Sequence, residues 1–105
     1  MMDVTGTWTF SVDLNNGQHG DPVFVLKQTG GRVTGTYQGP FGKHEVTGTV
    51  SDDTVTLEVS AAEGGRTLKL SYTGKIEGQE KMSGTMTRNI SGQSTPGKWK
   101  ATRSK

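Results

Sequence analysis

The 105-residue sequence contains no cysteine, so disulfide bonds and thiolate chemistry are excluded and the redox compartment cannot be inferred. Hydrophobic residues make up only 29% of the chain. No apolar run approaches the roughly 20 residues that a membrane-spanning helix needs, and no apolar signal-peptide segment follows Met1. These absences predict a soluble protein without a membrane partner, either intracellular or an already trimmed mature form.

A strong charge of one sign is also absent. Twelve Lys and Arg residues against ten Asp and Glu residues leave a formal net charge of +2, and the basic residues are scattered along the chain. Without a basic cluster or an aromatic platform, the composition argues against a nucleic-acid partner. Disordered chains of low hydrophobicity usually carry high net charge, which this chain lacks. We therefore expect a single globular domain spanning residues 1–105.

A Gly-Thr pair followed by an aromatic or aliphatic residue recurs along the chain. It occurs as Gly6-Thr7-Trp8, Gly35-Thr36-Tyr37, Gly48-Thr49-Val50 and Gly84-Thr85-Met86. Each copy lies in a run that alternates apolar and polar residues, which is the period of a strand with one buried face. Glycine destabilises a strand interior, so its recurrence suggests tight bends at the corners of a closed barrel.

The alternation predicts an all-β fold, an eight-stranded antiparallel up-and-down β-barrel. In the first strand, Trp8 and Phe10 share the inner face, while Thr7 and Thr9 share the outer face. No segment has the periodicity of a helix. The predicted strands cover residues 4–13, 22–28, 32–38, 44–51, 54–60, 66–76, 81–88 and 96–103.

The connections between these strands fall into two classes. Tight turns are predicted around Gly30-Gly31, Asp52-Asp53 and Gly78-Gln79, where glycine or aspartate permits unusual backbone angles. In an up-and-down barrel the remaining four connections meet at the opposite end and form a mouth. They are predicted as longer loops, at residues 14–21, 39–43, 60–65 and 89–95. Ligand pockets are common in the mouths of β-barrels, so we expect the functional site there.

The Gly6-Thr7-Trp8 motif on the first strand, together with Arg103 on the last, resembles the calycin superfamily of lipocalins, fatty-acid-binding proteins and avidins. The resemblance implies a β-barrel in which Arg103 covers Trp8 at the closed end. The segments Gly31–Tyr37 and Val46–Gly48 are similar to the avidin branch in particular. The chain also looks like small glycine-rich bacterial barrel domains, sometimes attached to hydrolases, from which no function can be transferred.

The avidin-like pocket matches at some positions and differs at others. Tyr37 and Trp99 correspond to ligand-facing aromatic residues of that family. Phe10 stands where avidins have a polar residue that holds the ureido oxygen of biotin, and Leu57 and Met86 stand where aromatic walls would be. Each lost hydrogen bond to a buried ureido group would cost about 1–3 kcal/mol. The resemblance therefore implies the fold but not biotin as the ligand.

Strand parity places His44 and Arg88 on the inner face near the mouth, above Tyr37, Tyr72 and Trp99. We interpret these five residues as the lining of a ligand-binding site with aromatic walls and a cationic rim. Arginine binds carboxylates through two hydrogen bonds, so the expected partner is a small apolar or anionic amphiphilic molecule. In the alternative interpretation, the polar side chains extend into solvent and only their stems cover the core.

Catalytic chemistry has less support in the sequence. His44 has no paired carboxylate on its face, and His19 lies in a glycine-containing loop. No Ser-His-Asp set, phosphate-binding glycine loop or metal-ligand cluster is present. We expect no catalytic residue, no metal and no cofactor. Two alternatives remain open: an isomerase or cyclase that acts by shaping its substrate, and an accessory module with a filled interior. A homo-oligomer is compatible with either.

Overall fold

Strands account for nearly all of the structure, a computed structural model that describes residues 2–104 except for the side chain of Glu63. Within residues 2–104 there is no helix, and hence none that could cross a membrane. The strands are β1 (Gly6–Leu14), β2 (His19–Gly20), β3 (Val23–Thr29), β4 (Arg32–Gly39), β5 (Gly42–Ser51), β6 (Thr54–Glu63), β7 (Arg66–Glu77), β8 (Lys81–Ile90) and β9 (Gln93–Arg103).

The eight long strands form a closed antiparallel barrel. From β3 to β9 each strand pairs with the next along the chain, and β1 pairs with both β3 and β9. The β1–β9 seam runs from Trp8 opposite Arg103 to Leu14 opposite Gly97. Among the eight long strands described, closure leaves none as an unpaired edge. The predicted all-β, eight-stranded up-and-down barrel is therefore confirmed.

The two-residue strand β2 is an addition to the predicted set, and it continues β3. Both pair with β1 in the same register, with Gly20 opposite Val12 and Val23 opposite Thr9. The interruption falls at Pro22, which has no backbone N–H to donate. Its carbonyl oxygen still accepts a hydrogen bond from the Phe10 nitrogen, at 2.9 Å. The predicted loop at residues 14–21 therefore contains a turn of only four residues, 15–18.

Three more loops at the open end are shorter than predicted. The connections expected at residues 39–43, 60–65 and 89–95 are two-residue turns, at 40–41, 64–65 and 91–92. Pairing between β6 and β7 continues as far as Glu63 opposite Arg66. Gly64 and Gly65 have φ angles of 59° and 78°, as the type I′ hairpin turn requires. Glycine-rich segments that suggested loops therefore form tight turns on longer strands.

Glycines inside the strands allow close contact between neighbouring backbones. A Cβ atom on Gly35 would lie 1.9 Å from the carbonyl oxygen of Val25. A Cβ atom on Gly84 would lie 2.0 Å from the carbonyl oxygen of Thr73. No side chain fits at such distances, which explains why the Gly-Thr motif recurs in strand interiors.

The interior divides into a filled closed end and an open end. At the closed end, the fully buried Trp8 donates its indole Nε1–H to the carbonyl oxygen of Val4, at 2.9 Å. The guanidinium of Arg103 lies over the same indole, as the calycin resemblance implies. All fully buried residues among those described are hydrophobic or aromatic, and none is charged.

Candidate functional site

A cavity of about 400 Å³ opens at the end of the barrel opposite Trp8. Its volume lies within the range of small-molecule sites, roughly 300–1,000 Å³. We call it the first cavity. Its wall includes the buried side chains of Val12, Leu70 and Met86 and is mostly apolar. The first cavity lies at the end of the barrel where the strand order predicts a mouth.

An aromatic cluster lies in the middle of the barrel, and its member Tyr72 also lines the first cavity. Phe10 contacts Phe24 with ring centroids 4.2 Å apart and stacks on Trp99 at 4.9 Å. Tyr72 meets Phe10 and Phe24 edge to face, at 5.6 Å and 5.3 Å. Of these four residues, only Tyr72 lines the first cavity, so the other three rings pack behind it.

Two tyrosines, Tyr37 and Tyr72, line the first cavity. Burial raises the pKa of Tyr72 well above its ordinary value of 10.0, and the neighbouring Tyr37 adds to the shift. Burial also raises the pKa of Tyr37, although a hydrogen bond with the backbone of Phe41 opposes the change. No hydrogen bond contributes to the shift at Tyr72. The raised pKa keeps the Tyr72 hydroxyl protonated at neutral pH, so that it remains a hydrogen-bond donor.

Arg88 is the cationic group at the rim of the first cavity. The half-buried side chain extends from β8 and donates from Nη1 to Oε1 of Gln18, at 2.8 Å. Gln18 belongs to the turn after β1, so the hydrogen bond links that turn to β8. Among the side chains that the structure describes, Arg88 has no carboxylate partner within ion-pair distance. Its charge is therefore available to an anionic ligand.

His19 also lines the first cavity, although the sequence predicts that it lies in a loop. Its Nδ1 lies 2.7 Å from Oδ1 of Asp13 and its Nε2 lies 2.9 Å from Oδ1 of Asp21. These hydrogen bonds, the Asp13 bond foremost, raise the pKa of His19 above its ordinary value of 6.5. Carboxylates accept hydrogen bonds, so this arrangement favours the imidazolium form of His19, in which both ring nitrogens carry protons.

His44 lies beside the first cavity rather than in its wall. Its Nε2–H donates to the carbonyl oxygen of Phe41, at 2.7 Å, and its ring stacks against Tyr37 with centroids 6.3 Å apart. His44 therefore holds the turn at residues 40–41. It faces a second cavity of about 200 Å³, which also involves Arg66 and Leu68.

Trp99 belongs to the aromatic cluster and does not line the first cavity. It is 2% exposed, stacks on Phe10 and donates its indole Nε1–H to the carbonyl oxygen of Thr85, at 2.8 Å. Of the five residues predicted from strand parity, Tyr37, Tyr72 and Arg88 meet at the first cavity. His44 and Trp99 stand behind its walls.

Phe41 and Gln18 are site residues that sequence reasoning missed. Both lie at the open end in segments read as loops, and inside-outside alternation gives no information there. Phe41 lines the first and the second cavity, and Gln18 hydrogen-bonds to Arg88. Among the described residues, no three His, Asp or Glu side chains are grouped so that they could hold a metal ion.

Comparisons with known proteins reveal relatives in fold but none in sequence. No family model matches the chain, and a search of curated proteins finds no match. Among solved structures, that of EF1p2_mFAP2b bound to DFHBI superposes with a TM-score of 0.70 at 10% identity, covering 96% of this chain and 94% of that chain. A redesigned β-barrel, b11L5F_LGL, has a TM-score of 0.69 at 13% identity, and the match covers 97% of this chain and 92% of that chain.

A third similar structure is a fluorescence-activating β-barrel designed de novo. It has a TM-score of 0.65 at 14% identity, and the match covers 95% of this chain and 93% of that chain. At such low identities these likenesses concern the fold alone. They show that the chain has the architecture of a small eight-stranded antiparallel β-barrel.

Proposed function

We propose that the barrel binds a small, largely apolar molecule with an anionic or polar head group in the first cavity. The observation that carries the proposal is the cavity itself, about 400 Å³ of mostly apolar space with Arg88 at its rim. Burial of apolar ligand surface is favourable by about 25 cal/mol per Å². Head-group recognition by Arg88 would add a charge-assisted hydrogen bond.

Each predicted site residue has a role in this proposal. Tyr37 and Tyr72 provide ring surface, and the Tyr72 hydroxyl is a donor inside the cavity. Arg88 orients the head group. Trp99 supports Phe10 and Tyr72 from behind, while His44 holds the turn that carries Phe41.

The comparisons support the proposal by analogy. The similar structure of EF1p2_mFAP2b was solved with DFHBI bound, and so was that of the redesigned barrel mFAP1. A barrel of this size can therefore hold a small molecule while its fold is maintained. We also propose that the chain is calycin-like, because Arg103 covers Trp8 as the superfamily resemblance implies.

A dye titration tests the proposed site. Anilinonaphthalene sulfonate (ANS) combines aromatic rings with one sulfonate and fluoresces when buried in an apolar pocket. We expect the folded protein to bind one ANS per chain with saturation. Val12→Phe, which adds a ring to the cavity wall, should abolish binding. Val25→Phe is the matched control, because Val25 is 47% exposed on the outer surface.

The outcomes of the titration are distinct. Loss of binding in Val12→Phe together with parental binding in Val25→Phe supports the first cavity as the site. Equal binding by both variants places the dye elsewhere and contradicts the proposal. A near-UV circular dichroism spectrum for each variant checks that tertiary packing is intact, since loosely packed proteins also bind ANS.

A further inference from the structure

The first and second cavities share two lining residues. Phe41 and Ile90 line both of them. Ile90 extends from the end of β8, whereas Phe41 lies at the tip of the turn between β4 and β5. Because both cavities lie against the same two side chains, we expect truncation of one of these side chains to join them.

The backbone of Phe41 is held while its side chain remains half-exposed. The carbonyl oxygen accepts the His44 Nε2–H at 2.7 Å, and a further backbone hydrogen bond reaches the Tyr37 hydroxyl. The phenyl ring packs against the core from outside and is not enclosed by it. Rotation about χ1 can therefore move the ring without unfolding the turn.

The second cavity differs from the first in size and chemistry. At about 200 Å³ it is smaller than a typical ligand pocket on its own. Its lining is mixed: Ala61 and Leu68 are apolar, whereas His44, Arg66 and Thr67 are polar or charged. A small space with hydrogen-bonding groups and a cation suits one polar or anionic substituent, not a whole ligand.

We infer that Phe41 determines ligand length, because it separates the first cavity from a second subsite for a polar or anionic substituent. Ligands confined to the first cavity leave the phenyl ring in place. Longer ligands with a second anionic group displace it and reach Arg66. This inference rests on the proposed function of the first cavity and adds the chemistry of the far end of the ligand.

The experiment compares ANS with bis-ANS, which joins two ANS units and carries two sulfonates. Three variants remove the half-buried hydrophobic side chains that pack against the core: Leu14→Ala, Phe41→Ala and Leu68→Ala. Of these two cavities, Leu14 lines the first and Leu68 the second, so each of these variants enlarges one cavity without joining it to the other. Dissociation constants for both dyes are measured on each protein.

We expect Phe41→Ala to tighten bis-ANS binding by about tenfold or more, equivalent to roughly 1.4 kcal/mol, with little change for ANS. Leu14→Ala and Leu68→Ala should leave the ratio of the two affinities near that of the parent. Adding Arg66→Gln to Phe41→Ala should reverse most of the gain. Phe41→Leu, a milder change, replaces Phe41→Ala if the latter does not fold.

Each of the remaining outcomes contradicts the inference about Phe41, the proposed function, or both. If the parent binds ANS but Phe41→Ala and Phe41→Leu leave the ratio unchanged, the inference about Phe41 is wrong and the proposed function stands. An equal gain in Leu14→Ala also contradicts the inference, because general enlargement would then explain it. If the parent binds neither dye while Phe41→Ala binds bis-ANS, the partition is supported and the proposed function fails. If no protein binds either dye, both fail.

Discussion

The guanidinium of Arg103 lies over the indole of Trp8, with its Cζ 4.5 Å from the ring centroid. The same group donates to three carbonyl oxygens, those of Gln79 and Asp3, both at 2.8 Å, and that of Thr5. One side chain therefore joins the segment before β1 and the turn between β7 and β8 to the end of β9.

Removing this arginine should lower stability. Arg103→Ala loses the cation–π contact and leaves the three carbonyl oxygens to water, so we expect a loss of about 2 kcal/mol in the free energy of unfolding. Urea unfolding measures the loss. Arg32→Ala is the control, because Arg32 is exposed at the same end of the barrel and should change stability little. Equal midpoints for both variants would mean that Arg103 does not seal the closed end.

Adding a methyl group to a glycine inside a strand should destabilise the protein far more than adding one to a glycine in a turn. Gly35→Ala would place its Cβ 1.9 Å from a carbonyl oxygen, whereas the nearest atom to a Cβ on Gly31 lies 3.2 Å away. We expect Gly35→Ala to cost more than about 3 kcal/mol or to prevent folding, because the strand pair must separate. Gly31→Ala should remain close to the parent. Chemical denaturation, or the soluble yield where folding fails, distinguishes them.

The charge of Arg88 should contribute to binding of an anionic probe. We expect Arg88→Gln to weaken the binding free energy of ANS by about 1.5–3 kcal/mol, the range for a hydrogen bond to a charged group. The effect should shrink as salt is added. Arg32→Gln removes the same charge at the opposite end of the barrel. If both variants weaken ANS binding equally, the net charge of the protein explains the effect and Arg88 does not contact the sulfonate.

The imidazole of His19 should titrate above its ordinary pKa of 6.5, because two carboxylates stabilise its protonated form. Nuclear magnetic resonance of the imidazole protons measures this pKa directly. Asp13→Asn should lower it more than Asp21→Asn, since the hydrogen bond to Asp13 is the larger cause. If the two variants lower the pKa of His19 equally, or if neither lowers it, the hydrogen bonds of His19 to Asp13 and Asp21 would be contradicted.

The raised pKa of His19 also predicts the direction of a pH effect on stability. The folded state binds this proton more tightly than the unfolded state does. The resulting stabilisation is complete below about pH 6.5 and is lost as the pH rises through the folded-state pKa. In His19→Gln this part of the pH dependence should disappear, whereas His44→Gln should retain it. Unfolding midpoints measured between pH 5 and pH 9 compare the two variants.

Much of the barrel could be predicted because period-two alternation is a local signal. The inner face of β1, with Trp8 and Phe10, follows directly from the sequence. The strand glycines indicate close backbone contact, and the structure contains it at Gly35 and Gly84. Such features depend on neighbouring residues and on the demands of a closed sheet, not on the details of loop geometry.

The open end was harder to predict because its contacts depend on pairing register. His19 meets Asp13 only because β2 continues the register of β3, and Pro22 conceals that continuation in the sequence. Phe41 lies at the tip of a turn, where alternation does not define an inner face. Trp99 does face inward as expected, but its depth below the cavity depends on how the aromatic rings pack.

The mouth of this barrel is built from paired strands nearly to the tips of its hairpins. Between β6 and β7 the pairing ends at Arg66, and between β8 and β9 it ends at Gln93. A ligand entering the first cavity would therefore not need to order long loops, and binding would cost little backbone conformational entropy. Affinity should then depend mainly on shape match and desolvation, as in other preorganised sites. A single side-chain change at a hairpin tip could alter ligand choice without altering the barrel.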